Sequence, residues 1–80
     1  MTEPTTPPLA PIRDYESLRK AINARWTALG ITMLDLDAVT GFHDGYSAKL
    51  LRGVRHFGDM SLPVMLQALG VELVLRPCGE

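Results

Sequence analysis

The stretch LGITMLDLDAVTGFHDGYSAKLLRG, residues 29–53, most constrains this chain, because it carries the punctuation of two short helices joined by a tight turn. Thr32 is placed to cap the first helix, with Asp35 in its first turn and Leu36 and Val39 facing inward. Gly41 supplies the left-handed conformation that a sharp exit requires. The second helix is expected to begin near His43 or Asp44, run through Tyr46, Ala48, Lys49 and Leu50, and stop at Gly53. Together these make the pattern of a helix-turn-helix, whose second helix usually enters the DNA major groove.

The flanking segments supply the rest of a small core. Tyr15, Leu18, Ile22, Trp26 and Leu29 recur every three or four residues, which predicts one helix from about Asp14 to Ala28 that Gly30 ends. At this spacing Trp26 reads as a packing anchor rather than a stacking platform. Arg19, Lys20 and Asn23 fall on the opposite face, where a solvated surface or a phosphate contact are the alternatives. After the loop VRHFGDM, Ser61 is placed to cap a further helix carrying Leu62, Met65, Leu66 and Leu69, with Pro63 in its first turn and Gly70 at its end. Residues 71–75 alternate, with Val71, Leu73 and Leu75 on one face, and predict a half-buried strand. In an otherwise helical chain its backbone groups need water, a short intrachain partner or the same strand of a second copy, and the last is the favoured one.

Eighty residues accommodate one domain, and an apolar fraction of 46% suffices for a single modest core. The expected organisation is a Pro-rich arm over residues 1–12, a helical domain with its C-terminal strand over 13–77, and a tail over 78–80. The arm holds four prolines in its first eleven residues and no basic residue before Arg13, so it reads as a solvated, disordered extension rather than a groove-binding one. It lacks the charged and apolar regions of a secretory signal. No apolar run approaches the roughly 20 residues of a membrane span, and the lone Cys78 offers no intrachain disulfide. A cytoplasmic location without membrane attachment is the expectation.

The net charge of -1 and the pI near 6.1 weigh against a strongly electrostatic nucleic-acid binder. The charges are unevenly spread, however. Lys49, Arg52, Arg55 and His56 cluster just after Asp35, Asp37 and Asp44. Catalysis and metal binding find little footing. His43 and Asp44 diverge as neighbours at a helix start and have no nucleophile, and His43, His56 and Cys78 lack a recognised ligand spacing. No enzyme activity, cofactor or metal is expected.

The chain resembles the DNA-binding domains of the lambda-repressor and Cro type, the xenobiotic-response-element group. The resemblance runs without gaps through LGIT at 29–32, Leu36, Gly41, Tyr46, Lys49, Leu50, Arg52 and Gly53, and QALGVEL at 67–73 resembles the ending of many short bacterial regulators and antitoxins. It implies a mainly α, compact four-helix helix-turn-helix domain that binds duplex DNA as a homodimer and represses transcription, in the antitoxin case its own operon, with a toxin or other protein as a second partner. The positions it turns toward bases are Asp44, Gly45 and Lys49, with Ala48 and Arg52 nearby; beside them Arg55 is a further DNA candidate, and Tyr46 is either a core tyrosine or one whose hydroxyl reaches a phosphate. Lys49 is the foremost base or phosphate contact, Arg52 and Arg55 suit phosphates, and Asp44 is either a helix cap or an acceptor for cytosine N4. Three positions depart from the family. Met33 replaces a polar contact residue, Asp37 stands where alanine lets the helices approach, and Ser47 takes an inward apolar position where its hydroxyl could bond a preceding carbonyl. These departures and the acidic balance support the alternative of a protein-interaction module on the same scaffold that does not read DNA.

Overall fold

A computed structural model describes residues 11–75 and Pro77. Four helices follow in order, α1 (Tyr15–Leu29), α2 (Met33–Thr40), α3 (Tyr46–Arg52) and α4 (Ser61–Leu69). Each stops at a glycine with positive φ, namely Gly30, Gly41, Gly53 and Gly70, and α1 and α2 start at residues whose own side chains cap them. At α1, Asp14 accepts from the Ser17 amide at 2.7 Å while the Ser17 hydroxyl accepts from the Asp14 amide at 3.1 Å, a reciprocal capping box. At α2, Thr32 Oγ1 accepts from the Asp35 amide at 3.0 Å, as the sequence predicts.

The fold is small and mainly α. α3 and α4 each pack against both α1 and α2. The core takes at least one residue from every helix: Ile22, Leu36, Leu50, Leu51, Met65 and Leu69. Leu18, Trp26, Ile31, Met33, Phe42, Tyr46, Phe57, Leu62 and Leu66 pack around it from partly buried positions. Trp26 is thus a packing residue, although its buried indole N–H has no partner.

Polar side chains of α1 tie the bundle together. The Arg19 guanidinium and the Asn23 amide both donate to the Leu51 carbonyl at 2.6 Å, and Arg25 Nε donates to the Leu69 carbonyl at 2.9 Å. These carbonyls lie in the last turns of α3 and α4, where helix geometry leaves them without an intrahelical donor. Arg19 also pairs with Glu16. Arg19 and Asn23 are therefore caps for α3 rather than a solvated face, while Lys20 is exposed.

Several expectations are corrected. Val39 is 66% exposed, because the eight residues of α2 bury only Leu36 and Asp37; Leu29 is exposed as well. Ser61 is the first residue of α4 rather than its cap, and its hydroxyl accepts from the Gly58 amide at 2.8 Å to shape the preceding loop. No strand forms among the described residues. Residues 71–75 leave α4 without a ladder, since the helical remainder provides no edge to pair with, and Leu75 is 99% exposed. Residues 1–10 of the expected arm over 1–12, and the tail over 78–80, lie outside the described residues.

Leu50→Ala should cost about 2–5 kcal/mol of stability, as for a fully buried leucine. Val39→Ala should stay within about 0.5 kcal/mol. Urea unfolding of the two variants checks both.

Candidate nucleic-acid interface

The segment that carries the candidate residues is α3 with its flanking turns. A seven-residue helix cannot persist by its own hydrogen bonds, because nucleation costs more than so few turns return. α3 is held instead by what its ends and inner face meet. Ser47, Leu50 and Leu51 are fully buried at i, i+3 and i+4 and form that inner face.

The N-terminal end is fastened by a residue of another helix. The α3 cap is Gly45, at φ 86°, where a residue with a side chain would be strained, and it offers no capping group of its own. Asp37 of α2 takes that role. It is 2% exposed, and its two carboxylate oxygens accept from the Gly45 amide at 2.8 Å and the Ser47 amide at 2.9 Å. Burial pushes the Asp37 carboxyl up. The Ser47 hydroxyl and the Ser47 and Gly45 amides outweigh that effect and hold it below the usual carboxylate value. The hydroxyl lies beside the carboxylate without a well-formed hydrogen bond of its own, so Ser47 does not bond a preceding carbonyl. Asp37 and Ser47, separate departures at the level of sequence, are one feature in space.

This geometry also moves the start of α3. The helix begins at Tyr46, not at His43 or Asp44, because Asp37 engages the amides of residues 45 and 47 and residues 41–45 form the turn. Asp44 is consequently not the cap; it is exposed in the turn, as is His43. Tyr46 is half-buried, with its ring edge-on to Phe42 at 5.1 Å between centroids.

The outward face belongs to the cations. At about 100° per residue, Lys49 and Arg52 lie opposite the stripe of Ser47, Leu50 and Leu51, and both are exposed. Ala48 flanks them, partly buried. Beyond Gly53 the chain folds back, and the Val54 and Arg55 amides donate to the Lys49 carbonyl at 2.9 and 3.1 Å. Exposed Arg55 is thereby set at the C-terminal end of α3. Gly53 suits that position because it adopts φ 85°, a left-handed conformation that strains any residue with a side chain. His56 lies against the Tyr15 ring at 4.7 Å, and the Tyr15 hydroxyl accepts from the Phe57 amide at 2.8 Å, so this loop is anchored to α1.

Of the sequence-predicted residues, Lys49, Arg52 and Arg55 come together at one end of α3, whereas Asp44 and Gly45 stand at the other. The single ion pair among the described residues is Arg19 with Glu16, so none of the three cations is matched by a carboxylate there. Among the described residues no group of His, Cys, Asp and Glu forms a metal-binding cluster, and no helix is long and apolar enough to cross a membrane. Sequence reasoning missed Asp37, Arg19 and Asn23 as the residues that fix α3. The available signal was the conjunction of an acid and a serine at two inward positions ten residues apart. No protein-family model, curated protein or solved structure matches the chain.

Asp37→Ala should cost about 2–3 kcal/mol, since it strips two amides, one of them fully buried, of a charged acceptor. Because the folded-state pKa of Asp37 is depressed, its contribution is present above the unfolded value of about 3.9 and is lost as pH falls through the lower, folded value. Asp14, held low by the Ser17 amide and then its hydroxyl, and Glu16, held low by Arg19, act in the same direction. Asp37→Asn should therefore be less stable than the parent at pH 7 and lose less stability between pH 5 and pH 2, as thermal melts across that range would register.

Proposed function

We propose that this chain is a sequence-specific DNA-binding regulator of repressor type, built on a helix-turn-helix in which α2 and α3 are the paired helices and α3 is the reading helix. The observation that carries the reading is the placement of Lys49 and Arg52 at the centre of the outward face of α3, with Arg55 folded against its end. Charge placement separates this reading from its alternative. Asp37 is withdrawn from the surface and bonded to amides, and exposed Asp44 stands at the opposite end of α3 from Arg52 and Arg55, so the outward face is more positive than the net charge implies. On this reading Arg52 and Arg55 fix the register on phosphates and Lys49 reads a base edge or a phosphate. The resemblance to the lambda-repressor and Cro type adds autoregulation of an operon, with a toxin as the protein partner.

A homodimer fits the same reading. Residues 71–75 are extended without a ladder and expose Leu73, Val74 and Leu75, and pairing this segment across a two-fold axis would bury them and present two copies of α3 to one palindrome.

A second reading, a protein-interaction module that does not bind DNA, is favoured by one specific feature. A shallow open groove of mixed polar and apolar lining, formed by Val39, Val64, Gln67 and Ala68, lies between α2 and α4 and offers a surface to a partner.

Titration of labelled duplex from the chain's own upstream region, against random duplex and across salt concentrations, tests the proposal. Saturable sub-micromolar binding that outcompetes random duplex is expected, with Lys49→Glu and Arg55→Glu each weakening it and flattening its salt dependence by about one phosphate contact or more. Binding no tighter than to random duplex and indifferent to both substitutions would favour the interaction module.

A further inference from the structure

Taking the DNA-binding reading as its basis, we infer that the duplex backbone is met by the C-terminal half of α3 and its following loop, through Arg52 and Arg55 beside Lys49, and not by the N-terminal end of that helix. An isolated helix would favour the opposite arrangement. Its N-terminus carries free amides and about half a positive charge, and its C-terminus carries free carbonyls and about half a negative charge.

Both ends of α3 are inverted by their neighbours. At the N-terminus the Gly45 and Ser47 amides donate to Asp37 and the Tyr46 amide donates to the His43 carbonyl at 2.9 Å, so these donors are occupied before any phosphate arrives. The full negative charge of Asp37 exceeds the roughly half charge of the helix end, and exposed Asp44 adds a second. That end repels phosphate.

At the C-terminus three of the last four carbonyls are occupied in turn. Lys49 O accepts from the Val54 and Arg55 amides, Leu50 O from the Gly53 amide at 3.3 Å, and Leu51 O from Arg19 and Asn23. The negative end is thus neutralised by internal donors, and Lys49, Arg52 and Arg55 are the charges presented to solvent around it. Arg19 of α1, paired with exposed Glu16, also reaches this end through the Leu51 carbonyl, and exposed His56 and Asp59 lie further along the loop.

The test compares Asp44→Asn, Arg52→Gln and Arg55→Gln with the parent by fluorescence anisotropy on the upstream duplex and on random duplex, at low and at physiological salt. Circular dichroism melts of each variant verify that the fold is retained. Asp44→Asn should tighten binding by about two- to five-fold at low salt, with the gain shrinking as salt rises. Arg52→Gln and Arg55→Gln should each weaken it by about three-fold or more and reduce the salt slope by about one. An Asp44→Asn variant that binds equally or more weakly, as it would if Asp44 accepted from a cytosine, overturns the inference while leaving the regulator reading intact. Affinity indifferent to both arginine substitutions overturns it together with the phosphate roles given to Arg52 and Arg55 above, while a retained preference for the upstream duplex over random duplex still marks a regulator. Absence of binding by the parent to either duplex removes the regulator reading and this inference together.

Discussion

The carboxylate of Asp37, shared between the amides of Gly45 and Ser47, is the interaction on which the rest of the fold depends. A buried acid is expensive unless its charge is met by donors, and here two backbone amides meet it where a short helix has donors to spare. The bond does three things at once. It satisfies the start of α3, fixes α3 to α2, and removes a negative charge from the face that carries Lys49 and Arg52. Replacing the acid by an apolar residue would leave the Ser47 amide in the core unpaired, so Asp37 and the conformation of the turn at residues 41–45 stand or fall together.

The same logic applies at the other helix ends. Arg19 and Asn23 converge on one carbonyl of α3, Arg25 reaches the last residue of α4, and Tyr15 receives the amide of Phe57. Only α1 and α2 carry their own side-chain caps, at Asp14 and Thr32. The first half of the chain thus completes the backbone hydrogen bonding of the second half. This arrangement suits a domain whose core is six buried apolar side chains, too few to hold three short helices by packing alone.

Much of this was legible in the sequence, and the boundary between what was and what was not is physical. Helices α1, α2 and α4 follow from apolar spacing and glycine stops, because those signals are local. Thr32 as a cap is equally local, as its partner is three residues away. The cap of α3 is eight and ten residues distant, so a one-dimensional reading assigned it to Asp44, the acid at the expected position, and started the helix too early. Val39 has the right spacing to be inside, but no element reaches over it. The strand at residues 71–75 alternates correctly and still forms no ladder, since alternation says nothing about the supply of a partner. For the candidate interface, the cluster of Lys49, Arg52 and Arg55 could be read from charge order, whereas the occupation of both ends of α3 could not.

The division of labour within α3 has a further consequence for how such a surface can change over time. The residues that hold it in place, Asp37, Arg19 and Asn23, all belong to other helices, and Ser47, Leu50 and Leu51 face inward. Lys49 and Arg52 make no side-chain hydrogen bond within the described structure, so their side chains are free to be exchanged with little effect on folding. The segment is for the same reason a poor cassette. Moved into another scaffold, α3 would arrive without the groups that complete its two ends, and its outward residues would have no fixed frame. Within this scaffold new surfaces can be written on α3 one side chain at a time, while the helix itself is the property of its neighbours.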